Sequence, residues 1–331
     1  AALLLASGCQ NPAGPSAPVL ELAADINPGA GGSSPANLAV YGTRLYFAAN
    51  DGSSGSELWR WDGSAATQAA DINTGAGSSN PSYLTVYDGS LFLQAAAQLF
   101  QYDGTDEVPI GTVSDPAHLA VWGTTLYMQG TGAGNGYELW GYDGTPPAAE
   151  VADIYSGVSN SLPAYLTVFD GSLYFAATDL ADGRELWVYD GSASRVSNIN
   201  AGAGSSNPTW ITVYGSELMF QASDGSGVEL WSWDGVSATE VSSFGATGGS
   251  VLLSPMAVYD GRLYFVGNDG TTGLELWRYD GSGVTQVADL NPTGSGLAAP
   301  TYFAVYGGRL FFAGNDGSTG LELYSTDGTD V

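Results

Sequence analysis

The sequence predicts an all-β fold: a seven-bladed β-propeller in which each blade is a sheet of four antiparallel strands. A repeat of 35 to 47 residues occurs seven times, and this period is typical of propeller blades. Each repeat contains short strand-like runs separated by Gly and Asp, without helical periodicity. The last repeat also stops before a fourth strand, whereas the first one is preceded by an extra strand.

Three positions mark every repeat. A proline precedes the first strand at Pro35, Pro81, Pro116, Pro163, Pro208, Pro255 and Pro300. An aromatic residue ends that strand at Tyr41, Tyr87, Trp122, Phe169, Tyr214, Tyr259 and Tyr306. Another aromatic residue lies in the third strand at Trp59, Phe100, Trp140, Trp187, Trp231, Trp277 and Tyr324. Because each series has seven members, the sequence predicts seven equivalent units.

The sixth repeat shows how one blade is built. Its strands are predicted in MAVYDG, RLYFVGN, ELWRYDG and VTQVADL, within residues 255–290. The second strand is apolar on both sides. This pattern is expected when both faces of a sheet are covered by neighbouring blades.

The two ends of the chain complement each other. The segment VLELAADIN (19–27) matches the fourth strands TQAADIN (67–73) and TQVADLN (285–291), and the chain ends after a third strand. We therefore expect residues 19–27 to complete the last blade, which would close the ring and remove exposed sheet edges. The predicted domains are a signal-peptide remnant (1–9), a Pro-rich tether (10–18) and the propeller (19–331).

The first nine residues, AALLLASGC, resemble the end of a bacterial lipoprotein signal peptide. Small residues precede Cys9, the single cysteine, which is the predicted lipid-attachment residue. The alternative is a cysteine inside an ordinary signal peptide. Either interpretation predicts export to the bacterial cell envelope, and the lipoprotein interpretation places the protein in the outer membrane or at the cell surface.

The phrase ELWRWDGS (57–64) recurs as ELWGYDGT (138–145), ELWVYDGS (185–192) and ELWRYDGS (275–282), and degenerates to QLFQYDGT (98–105) and ELYSTDGT (322–329). In these motifs the chain resembles the bacterial ELWxxDGT-repeat proteins over residues 20–331. The resemblance implies an exported or surface protein. It implies little about activity.

The charge excludes one class of partner. The formal net charge is −27, with seven Lys and Arg residues in total. Binding of nucleic acid requires clustered basic side chains for the phosphates. No stretch is long and apolar enough to span a bilayer, so we expect membrane contact through the lipid anchor only.

The propeller topology assigns the loops to two faces. Loops from strand two to strand three, such as 50–55, and from strand four to the next strand one, such as 71–81, are long and share one face. We call it the long-loop face. The opposite, tight-turn face carries Asp-Gly turns such as 61–64, in which Gly takes a positive φ.

Acidic residues recur in two positions. Glu57 and its equivalents precede the third-strand aromatic residue, and a hydrogen bond to loop backbone is the expected role of a buried Glu. A calcium site is the alternative, because carboxylate oxygens are Ca²⁺ ligands. The loop carboxylates that would contribute are Asp51, Asp224, Asp269 and Asp316.

The third-strand aromatic residues are expected to pack between blades. A repeated sugar-stacking site is the alternative, but only Arg60 and Arg278 supply the arginine that such a site should retain. Packing is therefore the favoured interpretation.

The second repeat departs from the pattern. Its loop between strands two and three is missing, and the following connection, GTVSDP (111–116), is short. Both deletions fall on the long-loop face, which predicts a notch that could admit a ligand. Its candidate residues are Gln94, Gln98, Thr112 and Asp115. The alternative is neutral loop loss, since surface loops tolerate deletion.

These features predict a surface-anchored, non-catalytic binding or scaffold propeller that recognises a protein or glycan partner through the long-loop face. No catalytic residue is assigned: the acids recur with the repeat, and His118, the single histidine, lies in a predicted first strand. No cofactor is expected apart from the calcium alternative. The competing hypotheses are an extracellular polysaccharide-acting enzyme, a glycosidase or lyase, and a carbohydrate-binding lectin.

Overall fold

Antiparallel strands and tight turns form the regular structure of the computed structural model. The structure describes residues 22–29, 31–132, 134–202, 204–244, 249–251, 254–297, 301–318 and 320–328. Over these residues 27 strands form six sheets. The described residues contain no helix of the length and apolarity that a membrane span requires.

Each repeat folds as an antiparallel meander. Repeat one forms β1 (Ala36–Tyr41), β2 (Arg44–Asn50), β3 (Ser56–Trp61) and β4 (Ala66–Ala70). Repeat four forms β12 (Ala164–Phe169), β13 (Ser172–Asp179), β14 (Gly183–Tyr189) and β15 (Ala193–Arg195). Repeat five forms β16 (Thr209–Tyr214), β17 (Glu217–Ala222), β18 (Glu229–Trp233) and β19 (Ala238–Glu240).

The last two repeats are less regular. Repeat six contains β21 (Ala257–Tyr259), β22 (Arg262–Asn268), β23 (Leu274–Tyr279) and β24 (Val284–Ala288), and β20 (Ser250–Val251) also pairs with β22. Repeat seven contains β25 (Ala304–Tyr306), β26 (Arg309–Asn315) and β27 (Leu321–Thr326).

Repeats two and three are fused into one seven-stranded sheet. Its strands are β5 (Ser82–Tyr87), β6 (Ser90–Ala95), β7 (Gln98–Tyr102), β8 (Glu107–Trp122), β9 (Thr125–Thr131), β10 (Glu138–Tyr142) and β11 (Ala149–Ala152). The 16-residue β8 serves as the fourth strand of repeat two and the first strand of repeat three. The fusion follows from the short connection at 111–116, which leaves no residues for a loop.

The first strands lie innermost, and β1, β5, β8, β12 and β16 contact one another in sequence. The aromatic residue that ends a first strand also links its repeat to the next one. Tyr41 Oη donates to the carbonyl of Gly89 at 2.8 Å, Tyr87 Oη to Thr124 at 2.6 Å and Tyr214 Oη to Gly261 at 2.8 Å. This arrangement is an all-β propeller fold.

The two predicted faces are present. On the long-loop face, the amide of Ser79 donates to the carbonyl of Ser56 at 3.0 Å, which joins the two kinds of long loop. On the opposite side, Tyr41 Oη also approaches the carbonyl of Asp103 at 3.2 Å, so two tight turns of repeat two meet there. These contacts agree with the predicted division of the loops between two faces.

The core lies between successive sheets. One cluster joins Tyr46 and Leu58 of the first sheet to Leu91, Leu93 and Phe100 of the second repeat. Burial of each such side chain contributes about 1.5–3 kcal/mol. The predicted two-sided burial of the second strands is confirmed, because Tyr46, Phe47, Ala48 and Ala49 are all buried.

The described part of the predicted strand over residues 19–27 does not form a strand. Residues 22–27 carry no strand, residues 19–21 lie outside the described residues, and the last sheet has three strands. Ile26 packs instead against Phe47 and Trp59 of the first sheet. Leu321 and Leu323 of β27 are 62% and 61% exposed, so the last sheet has one uncovered face.

Candidate functional site

The predicted notch is partly filled. Tyr137, from a long loop of repeat three, donates its hydroxyl proton to Asp115 Oδ2 at 2.9 Å. Thr112 Oγ1 donates to the carbonyl of Ala148 at 2.9 Å, and Gln94 Oε1 accepts from the hydroxyl of Ser82. Gln98 is exposed and lies opposite Ser114 on β8.

The four notch residues come from neighbouring segments. Gln94 and Gln98 lie on the paired strands β6 and β7, and the amide of Asp115 donates to the carbonyl of Ala97 at 2.9 Å. The four predicted residues therefore lie near one another on the seven-stranded sheet that repeats two and three share. A role for them in ligand binding stays a prediction. Tyr137 was missed, because its approach to Asp115 spans a long loop and cannot be seen from spacing.

The recurring Glu is a structural hydrogen-bond acceptor. Glu57 is fully buried and accepts from the amide of Ile72 at 2.9 Å, the amide of Ser79 at 2.8 Å and the hydroxyl of Ser79 at 2.6 Å. Glu138 and Glu185 repeat this pattern with Ser161 and Ser206. Each Glu therefore ties the loop that leads to the next repeat to its own third strand.

Burial has an electrostatic consequence for these acids. It raises the pKa of Glu138, Glu185 and Glu275, because the charged form loses hydration, and hydrogen bonds from the loops partly oppose this effect. A similar geometry in successive repeats indicates a scaffold role. The predicted hydrogen bond to loop backbone is confirmed.

The loop carboxylates considered for calcium cap their own loops. Asp51 Oδ1 accepts from the amides of Ser53 and Ser54, each at 2.8 Å, and Asp269 Oδ1 does the same with Thr271 and Thr272 at 2.8 and 2.9 Å. Asp224 and Asp316 accept from amides two residues further on. Within the described ranges, no group of three or more His, Cys, Asp or Glu side chains could hold a metal ion.

The third-strand aromatic residues are core residues. Trp59, Trp140, Trp187 and Trp277 are 7–9% exposed and belong to buried apolar clusters, of which those of Trp187 and Trp277 lie between two sheets. Their faces are therefore covered by protein, which confirms the packing interpretation.

A different set of aromatic residues lies along the inner strands. Tyr83, His118, Tyr165 and Trp210 each stand two residues after the proline of their repeat. Their ring centroids are 5.2, 5.4 and 5.4 Å apart in succession. We call these four residues the aromatic ladder. It runs across repeats two to five, beside the long loops.

A β-bulge positions each ring of the ladder. In β5, for example, Ser82 pairs with Gln94 and Thr85 with Phe92, so two residues oppose one. The ladder residues have φ angles of 53°, 54°, 57° and 54°. Thr85, Thr167 and Thr212 donate their hydroxyl protons to the carbonyls of Tyr83, Tyr165 and Trp210 at 3.1, 3.0 and 2.8 Å, which stabilises three of these bulges.

His118 is neutral within the ladder. Its Nδ1 accepts from the amide of Tyr165 at 3.4 Å. Burial and, to a lesser extent, the charge of Arg184 lower the pKa of His118 to about 4. Arg184 itself donates to the carbonyl of Leu162 at 2.8 Å. Sequence reasoning placed His118 correctly in a first strand but missed the ladder, whose signal is a proline followed two residues later by an aromatic residue.

Cys9, the predicted lipid-attachment residue, lies outside the described residues. The tether at residues 10–18 does so too.

Comparison with known proteins gives the fold. No family model matches the chain, and no curated protein matches it. A puromycin-hydrolysing peptidase of Mycobacterium tuberculosis superposes with a TM-score of 0.56 at 13% identity, over 90% of this chain and 52% of the peptidase.

Two further solved structures are similar. A prolyl endopeptidase gives a TM-score of 0.55 at 14% identity, over 88% of this chain and 46% of that protein. The extracellular domain of a hybrid two-component system of B. thetaiotaomicron gives a TM-score of 0.53 at 16% identity. The match covers 91% of this chain and 39% of that protein. The chain spans about half the length of the peptidases or less, and at these identities the likeness concerns the propeller fold alone.

Proposed function

We propose that this protein is a non-catalytic binding propeller that holds a protein or glycan partner against its long-loop face. The observation that carries the proposal is the preorganisation of that face. Glu57, Glu138 and Glu185 fix one kind of long loop, and asparagines such as Asn73 close it through a bond to the carbonyl of Ser78 at 3.1 Å. A surface that is ordered before binding loses less conformational entropy when a partner docks.

The competing proposal is an enzyme that acts on extracellular polysaccharide. The recurring carboxylates offer it little support, because Glu57, Glu138 and Glu185 are engaged by loop amides and hydroxyls. The likeness to peptidases at 13–14% identity supports a shared fold only. A lectin is the closer alternative, since the aromatic ladder lies beside the long loops.

A combined binding and turnover experiment tests the proposal. The purified protein would be applied to a glycan array and incubated separately with polysaccharides and chromogenic peptides, while reducing ends and released chromophore are measured. We expect saturable binding to a glycan or to a candidate surface protein, without product. Product formation by the unmodified protein would contradict the non-catalytic proposal.

Site-directed labelling tests which face binds. In a Cys9→Ser background, Thr74→Cys lies on the long-loop face and Ser64→Cys on the tight-turn face, and both positions are exposed. Each variant would be coupled to a maleimide-linked polyethylene glycol. We expect the label at residue 74 to block binding and the label at residue 64 to leave it intact. The reverse pattern would assign the site to the tight-turn face.

We also propose that the propeller has seven blades and is closed by the N-terminal segment. Ile26 packs on Phe47 and Trp59 as Ile72 packs in the cluster with Leu93 and Phe100 of the next repeat. Asn27 Nδ2 approaches the carbonyl of Gly32 at 3.3 Å, as Asn73 approaches Ser78. The contacts of Ile26 and Asn27 thus resemble those of the loop that elsewhere follows a fourth strand. This likeness supports the proposal that the segment before Ile26 takes the fourth-strand place of the last blade in the closed ring, whereas residues 22–25 carry no strand in this structure.

The uncovered face of the last sheet supports the same closure. Leu58, Leu139, Leu186, Leu230 and Leu276 are 0–1% exposed, whereas their equivalent in repeat seven, Leu323, is 61% exposed. Burial of such a side chain is worth about 1.5–3 kcal/mol. A partner sheet for this face is available in the first repeat, where Leu45, Phe47 and Trp61 line a groove of about 270 Å³.

From the N-terminal sequence we propose that the protein is located in the bacterial cell envelope and is anchored there by a lipid attached to Cys9. The support is the sequence AALLLASGC and the polar, Pro-rich residues that follow it. Metabolic labelling with a clickable palmitate would test the proposal. We expect label in the natural sequence and none after Cys9→Ser; labelling of both would contradict it.

A further inference from the structure

The aromatic ladder occupies a backbone conformation that disfavours its side chains. Left-handed φ angles are unfavourable for residues with a Cβ atom, which comes too close to the following carbonyl oxygen, and Gly or Asn accepts them more readily. Repeat one shows the low-strain solution, because Asn37 stands at the equivalent position with a φ of 55°. Repeats two to five instead place Tyr, His, Tyr and Trp there.

Packing alone does not explain why aromatic residues occupy these left-handed positions. Tyr83 is 40% exposed, and His118, Tyr165 and Trp210 are half-buried. Each ring therefore buries less area than the third-strand Trp residues, which are 7–9% exposed. Strain that is retained without full burial is typical of residues kept for function.

The ladder also presents unused hydrogen-bond donors. Within the described part of the chain, Tyr83 Oη, Tyr165 Oη and Trp210 Nε1 have no protein acceptor. His118 accepts through Nδ1, which leaves Nε2–H as the donor of the neutral ring. The ladder thus combines a row of partly exposed rings, tilted by 47–55° to one another, with polar atoms at the ring edges.

Charge narrows the class of ligand. The net charge of −27 disfavours a polyanion. A cation is disfavoured locally, because Arg184 acts electrostatically on both His118 and Tyr165. A neutral sugar fits both conditions, since its C–H face packs on aromatic rings and its hydroxyls accept hydrogen bonds.

We infer that the aromatic ladder Tyr83–His118–Tyr165–Trp210 binds a neutral oligosaccharide along the inner strands of repeats two to five. The inference rests on the proposed binding function and names its ligand class. Tyr83 and Trp210, at the two ends, contact the outer sugar units. His118 and Tyr165 contact the inner ones.

Glycine substitutions separate binding from packing. Tyr83→Gly and Trp210→Gly remove a ring and also relieve the left-handed strain. The control for loss of an exposed ring is Tyr302→Gly at the same sequence position of repeat seven, where Tyr302 is 68% exposed and does not have a left-handed φ. The probes are cellohexaose, maltohexaose and chitohexaose, with hexagalacturonate and choline as charged probes, all measured by calorimetry on the full chain carrying Cys9→Ser.

We expect at least one neutral hexasaccharide to bind. Its affinity should fall about tenfold or more in Tyr83→Gly and Trp210→Gly, which corresponds to the loss of one stacking contact. It should be unchanged in Tyr302→Gly. The melting temperature of the two ladder variants should be equal to that of the parent protein or higher.

Three results would overturn the inference. Binding of choline or hexagalacturonate without binding of any neutral sugar would assign another ligand class. A lower melting temperature in both ladder variants, with affinity unchanged, would assign the rings to packing. Absence of binding to all five probes would remove the ladder as a sugar site, whereas the proposed function would still stand if a protein partner docks on the long-loop face.

Discussion

At the scale of single residues, the buried Glu of the repeat links the sheet to the loops. Glu185 is fully buried, accepts from the amide of Ile199 at 3.2 Å and from that of Ser206 at 2.8 Å, and also accepts from the Ser206 hydroxyl. Both carboxylate oxygens are thereby satisfied. Removing a buried acceptor lowers the free energy of unfolding mainly because the donors it paired with are left buried without a partner. The net energy of the hydrogen bonds themselves is smaller.

The first prediction concerns this carboxylate. In Glu185→Gln, the amide nitrogen must face a donor, either an amide or the Ser206 hydroxyl, and one hydrogen bond is lost. We expect the free energy of unfolding to fall by about 1–3 kcal/mol, measured by urea titration.

The matched control is Glu240→Gln, because Glu240 is exposed on β19. Its effect should stay within about 0.5 kcal/mol. Equal effects of the two substitutions would contradict the role assigned to the buried acid.

The second prediction concerns pH. Loop donors lower the pKa of the turn residues Asp62, Asp103 and Asp280 to about 2. Their contribution to stability is present above the usual Asp pKa of 3.8 and is lost as the pH falls toward 2. The buried Glu138 and Glu185 have raised pKa values, so their contribution to stability is complete below the usual Glu pKa of 4.5 and declines as the pH rises through the pKa of the folded state.

Both groups together predict a melting temperature that is highest in mildly acidic solution, near the interval between 3.8 and 4.5. Self-repulsion at a net charge of −27 acts in the same direction at neutral pH. Scanning calorimetry from pH 2 to 8 in 1 M salt would separate the effects, because salt screens surface charge and leaves the desolvation of buried groups. A melting temperature that rises steadily from pH 4 to 8 in high salt would count against this account.

At the scale of elements, the sequence predicted the meanders and their faces well. The proline, the aromatic residue that ends the first strand and the aromatic residue of the third strand recur in register with the strands, so Trp59 could be assigned to the core. The fused strand β8 could not be predicted, because a short connection at 111–116 is compatible with a tight turn or with continuous pairing.

The site was harder to predict than the fold, for physical reasons. The ladder depends on left-handed φ angles at Tyr83 and Trp210, which residue propensities do not predict for aromatic side chains. The filling of the notch by Tyr137 depends on a contact across 22 residues. Both features arise from tertiary structure, whereas the repeat pattern reports local structure.

The third prediction belongs to the contacts between repeats. Tyr87 is buried, and its hydroxyl donates to the carbonyl of Thr124 in the next repeat. Tyr87→Phe should lower the free energy of unfolding by about 1 kcal/mol through loss of this hydrogen bond. The measurement is urea unfolding, with Tyr302→Phe as the exposed control; no difference between the two variants would mean that the link between repeats is without energetic weight.

At the scale of the whole molecule, the central feature is the proposed closure of the ring. Repeats one to five are arranged as successive propeller blades, with their first strands in contact. The last sheet has three strands among the described residues and an uncovered face. Addition of residues 20–25 to the edge of β27 would supply a fourth strand, and packing of the first sheet on the last one would cover Leu323 and place the aromatic ladder in a closed central channel.

An engineered disulfide tests this closure most directly. In the first repeat Leu58 pairs with Ala70, and the matching pair across the ring is Leu323 and Ala24. Opposed residues on antiparallel strands lie about 4.5–5.5 Å apart between Cα atoms, a separation that a disulfide can bridge. The variant is Ala24→Cys with Leu323→Cys in a Cys9→Ser background, and Leu58→Cys with Ala70→Cys is the positive control.

The measurement is the fraction of intramolecular disulfide in oxidised monomer, determined by mass spectrometry of tryptic peptides. We expect the intramolecular disulfide to form nearly completely in both variants. A disulfide in the control pair, with free thiols or only intermolecular bonds at residues 24 and 323, would contradict the closed seven-bladed ring.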